Sequence, residues 1–471
     1  MRQAVYCALL FAFSAATQAA DLVDVFRLAQ RSDTAYAGAR ATWAAAQERV
    51  PQARAGLLPL VSASGSTQFT DRVATTRDDA SERTTSTFAS RGLSLSVTQP
   101  LYRRQNTVVF EQALTQVEQA DAQLALAAQD LILRVAQAYF DALLAQDNVA
   151  FAQAQKTAIG QQLEQARRNF EVGTATITDT HEAQARFDLT TAQEIAANND
   201  LELRRRALEQ IIARTAPPLA PLGAQFALKP PEPAVMDTWA GLAQQSNLQV
   251  RIAQSALTFA NQEIERNRGG HYPTLDLFAT ASTNNVGAGS GAGSDTRSNV
   301  VGLQLAFPLY SGGAVSSRVR ESIANEDRAR QDLEGARRTA EFTARQAFLG
   351  ITNGLAQVRA LEAALVSTQS QLASTRLGQE VGVRTQVDVL NAQQLLFSAR
   401  RDLASSKYTY VLSLLRLEAA IGELTETDLL AVNQWLDPAA LNAPPAAVTT
   451  PLTTTPVTGT PLPAKPVATK P

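Results

Sequence analysis

The sequence predicts a mainly α-helical chain that also carries four β-strands of membrane-crossing length, laid out as one structural unit present twice. Three observations carry this. No proline occurs between Pro100 and Pro217 or between Pro308 and Pro438. In those stretches apolar residues recur every seven positions: Val117, Leu124, Leu131, Ala138, Ala145, Ala152, Ile159 in the first, and Ala344, Ile351, Val358, Leu365, Leu372, then Val389, Leu396, Leu403, Tyr410, Leu417 in the second. Sustained heptads mean helices packed along their length as coiled coils. Finally, landmarks return in order at a nearly constant spacing. Leu28-Ala29-Gln30 matches Leu242-Ala243-Gln244, Pro100-Leu101-Tyr102 matches Pro308-Leu309-Tyr310, and Glu171-Val172-Gly173 with Thr176 and Asp179 matches Glu380-Val381-Gly382 with Thr385 and Asp388. A repeat of about 200 residues sets the architecture before any other reading.

Residues 1–20 form the first element. Arg2, the apolar run Val5–Phe13 and the small-residue context Thr17-Gln18-Ala19 read as a Sec signal peptide cut after Ala19 or Ala20. Cys7, the one cysteine, lies inside it. The mature chain therefore has no thiol for disulfides, metal thiolates or nucleophilic catalysis. His181 and His271 are the two imidazoles and read as ordinary polar residues, so no metal or other cofactor is expected. A net charge of −2 offers no basic surface for nucleic acid.

The first repeat spans 21–236. A helical stretch over 22–56 leads to Pro59, then strands at 60–71 and 88–98, a helical hairpin over 102–213 and a linker at 214–236. The second repeat, 237–437, has helix to 268, Pro273, strands at 273–283 and 299–307, and a hairpin over 310–421. The strands are legible as period-2 alternation: Val61, Ala63, Gly65, Thr67 and Phe69 on one face, and Leu275, Leu277, Ala279 and Ala281 on another, with Ser, Thr and Gln among the residues opposite. They show no evident Trp/Tyr belt. Pro59, Pro100, Pro273 and Pro308 mark helix–strand transitions, because proline breaks both ladders. Gly173 and Gly382 mark the hairpin tips. The tail, 438–471, holds nine of the 20 prolines and is expected to be disordered.

Strands of this length with one apolar face suit a bilayer crossed at a tilt. Four cannot close a barrel, and lipid does not tolerate an open edge, so closure needs further copies of the chain. The residues by themselves also fit a different class, a pore-less periplasmic coiled-coil adaptor or structural protein. That reading leaves the strands and both Pro-Leu-Tyr transitions unexplained. No nucleophile–base pair, phosphate loop or metal-ligand cluster points to an enzyme.

Several stretches resemble the TolC family of outer-membrane channels: Gly270-His271-Tyr272-Pro273-Thr274-Leu275-Asp276-Leu277, NFEVGTATITDTHEAQARFD (169–188), EVGVRTQVDVLNAQ (380–393) and SKYTYVLSLLRLEAAIGELTETDLLAVNQWL (406–436). The resemblance covers nearly the whole chain to about Trp435. It implies a homotrimer in the outer membrane of a Gram-negative bacterium, with a 12-stranded barrel continued by an α-helical tunnel across the periplasm. It also implies docking to a periplasmic adaptor and an inner-membrane transporter of the ABC or RND type. The export of proteins (type I secretion), of small toxic molecules, or of both would follow.

By the same resemblance, polar links close the tunnel at its periplasmic tip. The matching positions are Thr178 and Asp179 at the first tip, Arg384 at the second, and Gln162. Gln379 stands where the family's best-known member carries Tyr, and Arg376 where it carries Glu. Asp388 matches an acidic ring that narrows the pore, while Asn391 stands where a second Asp is expected. A threefold Asp388 ring predicts cation selectivity, weaker than two rings would give.

Overall fold

The computed structural model describes residues 20–75, 83–223, 226–290 and 292–437. The expected signal peptide, apart from Ala20, and the Pro/Thr-rich tail lie outside the described residues. The first helical stretch is not one helix but three: α1 (Leu22–Ser32), α2 (Thr34–Gln47) and α3 (Arg49–Ala55). Asp33 makes the first break. Its N–H closes α1 on the Ala29 carbonyl at 2.7 Å, and its carboxylate accepts from the Tyr36 N–H at 2.7 Å to open α2. One residue thus ends one helix and caps the next.

Strands β1 (Leu60–Thr75) and β2 (Arg83–Tyr102) follow, both longer than the alternation suggested. The hairpin after them is α4 (Arg104–Glu171) and α5 (Ile177–Ile212). At 68 residues, α4 spans roughly 100 Å. The second repeat opens with α6 (Met236–Ser246) and α7 (Leu248–Arg268). These are split by Asn247, whose side chain accepts from Gln249 and Val250 at 2.9 and 3.3 Å. Asn247 therefore repeats the part played by Asp33, 214 positions earlier. Strands β3 (Thr274–Val286) and β4 (Ser294–Ala306), then α8 (Ala314–Glu380), α9 (Gln386–Ile421) and α10 (Glu426–Asn433) complete the order. Among the described residues no helix is long and apolar enough to cross a membrane.

The strands form one antiparallel sheet in the order β1-β2-β3-β4, with β1 and β4 as open edges. Register sorts the side chains by chemistry. One face carries Val61, Val97, Ala279 and Val301 in one row, with Leu95, Leu277, Leu303 and Leu305 in neighbouring rows. The other carries Ser62, Ser96, Thr280 and Val300. At the end of the sheet nearer the long helices, Arg103 grips the buried Asp276 bidentately at 2.8 and 2.6 Å, tying the start of α4 to β3.

Pro59 directly precedes β1, Pro273 directly precedes β3, and Pro308 follows β4 by two residues. Pro100 sits differently: it lies inside β2, opposite Asp276, where the register slips between Pro100 and Tyr102. A bulge removes the ladder bond that proline cannot donate, so the strand carries on through it. The strands themselves carry no Trp and one Tyr, Tyr102 at the very end of β2. Tyr102, Tyr272, Phe307 and Tyr310 are all exposed around the helix end of the sheet, just outside or at the ends of the strands.

The main core lies where the middle of α4 and the upper part of α9 are wrapped by α1, α6, α10 and residues 214–236. Leu22, Leu131, Tyr139, Phe140, Ile351, Tyr410 and Leu415 are buried there. The Tyr139 hydroxyl donates to the Ala220 carbonyl at 2.8 Å. The far ends of the described chain are buckled together in this belt. Asn433 accepts from the Leu22 N–H at 3.1 Å and donates to Asp21 at 2.7 Å, Ala20 bridges Leu219, and Leu222 bridges Leu436.

Candidate functional site at the hairpin tips

The two tips, between α4 and α5 and between α8 and α9, are built alike. Gly173 and Gly382 each sit at φ +78°, a left-handed turn that a side chain would strain. Past each glycine a threonine caps the next helix in a reciprocal box. Asp179 Oδ2 accepts from the Thr176 N–H at 3.0 Å and its hydroxyl at 2.8 Å. Asp388 Oδ2 accepts from the Thr385 N–H at 2.9 Å and its hydroxyl at 3.0 Å. The hydrogen bonds from Thr385, with the Arg384 charge as a smaller contribution, hold the Asp388 carboxyl below its ordinary range. It is ionised at neutral pH. Thr-x-x-Asp makes helix N-termini that favour this charge, which is why the sequence folds locally in this way.

Apolar packing at the tips is thin. Leu163, Ala166 and Ala183, with Phe187 against them, hold the first; Leu372, Val389, Ala392 and Leu396, with Leu365, hold the second. Polar links join the two. Gln386 donates to Gln162 Oε1 at 2.8 Å and accepts from Gln379, so a relay of three glutamines ties α8, α9 and α4. Arg186 on α5 donates to Asn391 at 3.1 Å and to Gln394 at 2.8 Å on α9.

Of the residues singled out from sequence, Gln162 and Asn391 thus take part in cross-helix links. Asp179 and Asp388 are engaged in their own helix caps. The Thr178 and Arg384 side chains make no hydrogen bond or ion pair within the described residues, and Arg384 is not brought to Asp179 inside one chain. Sequence reasoning missed Arg186, Gln386 and Gln394. Arg186 lies seven residues after Asp179, on the same helical face, which is the one signal that could have found it.

The Outer membrane efflux protein family model matches residues 26–214 and 239–423, one segment in each repeat. The chain belongs to this family. It is 35% identical over 432 residues to the outer membrane protein TolC of Vibrio cholerae, covering 91% of this chain and 97% of that one. It is 32% identical to the alkaline protease secretion protein AprF of Pseudomonas aeruginosa, covering 87% and 85%. The solved outer membrane protein VceC of Vibrio cholerae superposes with a TM-score of 0.72 at 18% identity, over 85% of this chain and 96% of that one, which shows the shared fold. The chain is a TolC-family outer-membrane channel protein with its helices in the periplasm, from a family of channels rather than enzymes.

Proposed function

We propose that three copies of this chain close their sheets into one 12-stranded barrel and their helices into one tunnel. The assembly is the outer-membrane exit duct of a tripartite export system. The observation that carries this is the sheet itself: four antiparallel strands, one apolar face and two open edges, running directly into helices of roughly 100 Å. Edges open in lipid demand partners, and threefold self-closure supplies them without a second kind of subunit. A periplasmic adaptor and an inner-membrane ABC or RND-type transporter dock below, and that transporter chooses whether proteins or small toxic molecules enter.

The tips are the gate. The capping box of the first tip uses Asp179 Oδ2, which leaves Oδ1 for Arg384 of a neighbouring copy, with Thr178 beside it. The Gln162–Gln386–Gln379 relay and the Arg186–Asn391 link hold the same helices together within each copy. Asp388 supplies the negative ring and Asn391 a neutral one, so cation preference is moderate. Planar-bilayer conductance tests this. The purified full chain should give a small cation-selective conductance, Asp388→Ala should lower the selectivity, and Arg384→Ser should enlarge the conductance. Absence of conductance from folded protein would refute the duct. Conductance that neither substitution changes would remove these residues from the gate.

A further inference from the structure

The apolar face of the sheet is bounded differently at its two ends. At the helix end stand Tyr102, Tyr272 and Tyr310, whose amphipathic rings suit a phospholipid interface, with Phe307 beside them. Among the described residues the opposite end of that face shows one exposed ring, Phe69, and carries arginines. Thr67, Arg91, Asn285 and Asp295 form one row of the apolar face. Gly65, Leu93, Thr283 and Arg297 form the next row inward.

Arg91 and Arg297 are both exposed, and neither makes a hydrogen bond or ion pair within the described residues. Asp295, the carboxylate nearest in this pattern, is engaged by Asn285. Two strands and one row apart, the arginines have Cα atoms separated by roughly 12 Å. That is a gap two long side chains can close on a shared anion.

Immediately inward of Arg297 the same face is hollowed. Ala63, Gly65, Leu93, Leu95 and Ala281 line a shallow, open groove of about 520 Å³ that Asn299 and Arg297 also border. An arginine charge exposed at a membrane face calls for an anion, and the small and apolar side chains Ala63, Gly65, Ala281, Leu93 and Leu95 beside it offer a shallow bed for a hydrocarbon chain. A single ligand satisfies both if phosphate and acyl chain are joined.

We infer that Arg91 and Arg297 form, on each chain, a binding site for the phosphate of a phosphorylated glycolipid in the outer leaflet, with an acyl chain seated in the Gly65–Leu93 groove. The inference rests on the barrel reading, since it needs this face to meet lipid. The aromatic end then meets the inner leaflet and the arginine end the outer leaflet, so the site also fixes the vertical position of the duct.

Native mass spectrometry of the purified full chain tests this with bis-phosphorylated lipid A, its fully dephosphorylated form, and inorganic phosphate as competitor. The wild type should retain the phosphorylated lipid roughly tenfold better, the share of one charge-assisted contact. Inorganic phosphate should not displace it. Arg91→Gln with Arg297→Gln should erase the preference, the paired lysine substitutions should keep most of it, and Arg72→Gln, on the opposite face of β1, should leave it unchanged.

Equal retention of the two lipids by the wild type would overturn the site without any variant being needed. So would a preference that survives the double substitution, or displacement by inorganic phosphate. Failure to retain either acylated lipid would instead count against the membrane-facing sheet itself.

Discussion

The belt around the middle of the molecule and the tips of its hairpins are made from the same four helices, yet they are held very differently. At the belt, α4 and α9 are surrounded by α1, α6, α10 and residues 214–236, and a continuous core with Tyr139 and Tyr410 at its centre is sealed from water. At the tips the helices have no second layer, and three or four buried residues hold each hairpin. Since heptads run through both regions, periodicity does not set the difference; the number of layers does. Regions with few buried contacts open at low cost, so the fold places its more easily opened part at the hairpin tips and its anchor at the middle.

The largest test of this contrast is Tyr139→Ala, which opens a cavity in the belt and removes the Ala220 hydrogen bond. It should cost about 4 kcal/mol in chemical denaturation of the whole chain. Val389→Ala, also fully buried but at a tip, should cost about 2 kcal/mol or less. Its effect should be local, seen as faster hydrogen exchange over 365–400 with the belt unchanged. If Val389→Ala destabilised the whole molecule as much as Tyr139→Ala, the two regions would be one cooperative unit and the contrast would fail.

Smaller effects come from two carboxylates near the belt that titrate in opposite directions. The Arg134 guanidinium, at 2.9 Å, holds the Asp33 carboxyl below its ordinary value of 3.8. A depressed native pKa gives stability that is present above that value and lost as pH falls through the native one. Asp33→Asn keeps the helix cap but loses the charge. It should cost about 1 kcal/mol at neutral pH, because Arg134 is a third exposed. It should also flatten the fall in stability below pH 3.8. Asp147, where the Tyr408 hydroxyl donates at 2.7 Å, is pushed up by burial. A carboxyl raised in the native state gives stability that is present at low pH and lost as pH rises through the native value. Asp147→Asn keeps an acceptor for Tyr408 and should be neutral or slightly stabilising at pH 7, as measured by denaturation across pH.

Much of this architecture was legible because periodicity reports burial. Val389, Leu396, Leu403, Tyr410 and Leu417 are all buried, as their spacing implied. Val117 and Leu124 share the same period but are only half-buried. The outer ends of β1 and β2 were missed because Arg72-Val73-Ala74-Thr75 is too short to show alternation and Arg83-Thr84-Thr85-Ser86-Thr87 has no apolar contrast. The breaks at Asp33 and Asn247 were readable in principle: each follows a serine at the same position of the repeat and is a residue that caps helices. The glutamine relay was not. Gln162, Gln379 and Gln386 lie on three helices, and an amide gives no sequence signal of its partner until tertiary structure brings the pair together.

The buckle at Asn433 also has a consequence for biogenesis. Its bond to Asp21 joins positions 412 apart, so the belt is fastened last whichever part of the chain folds first. Until residue 433 has been delivered, Leu22, Val25 and Tyr139 lack part of their cover, and a chain stopped short of that point leaves a sticky waist in view. A chain complete to residue 433 is thus the condition that the geometry sets for a closed waist.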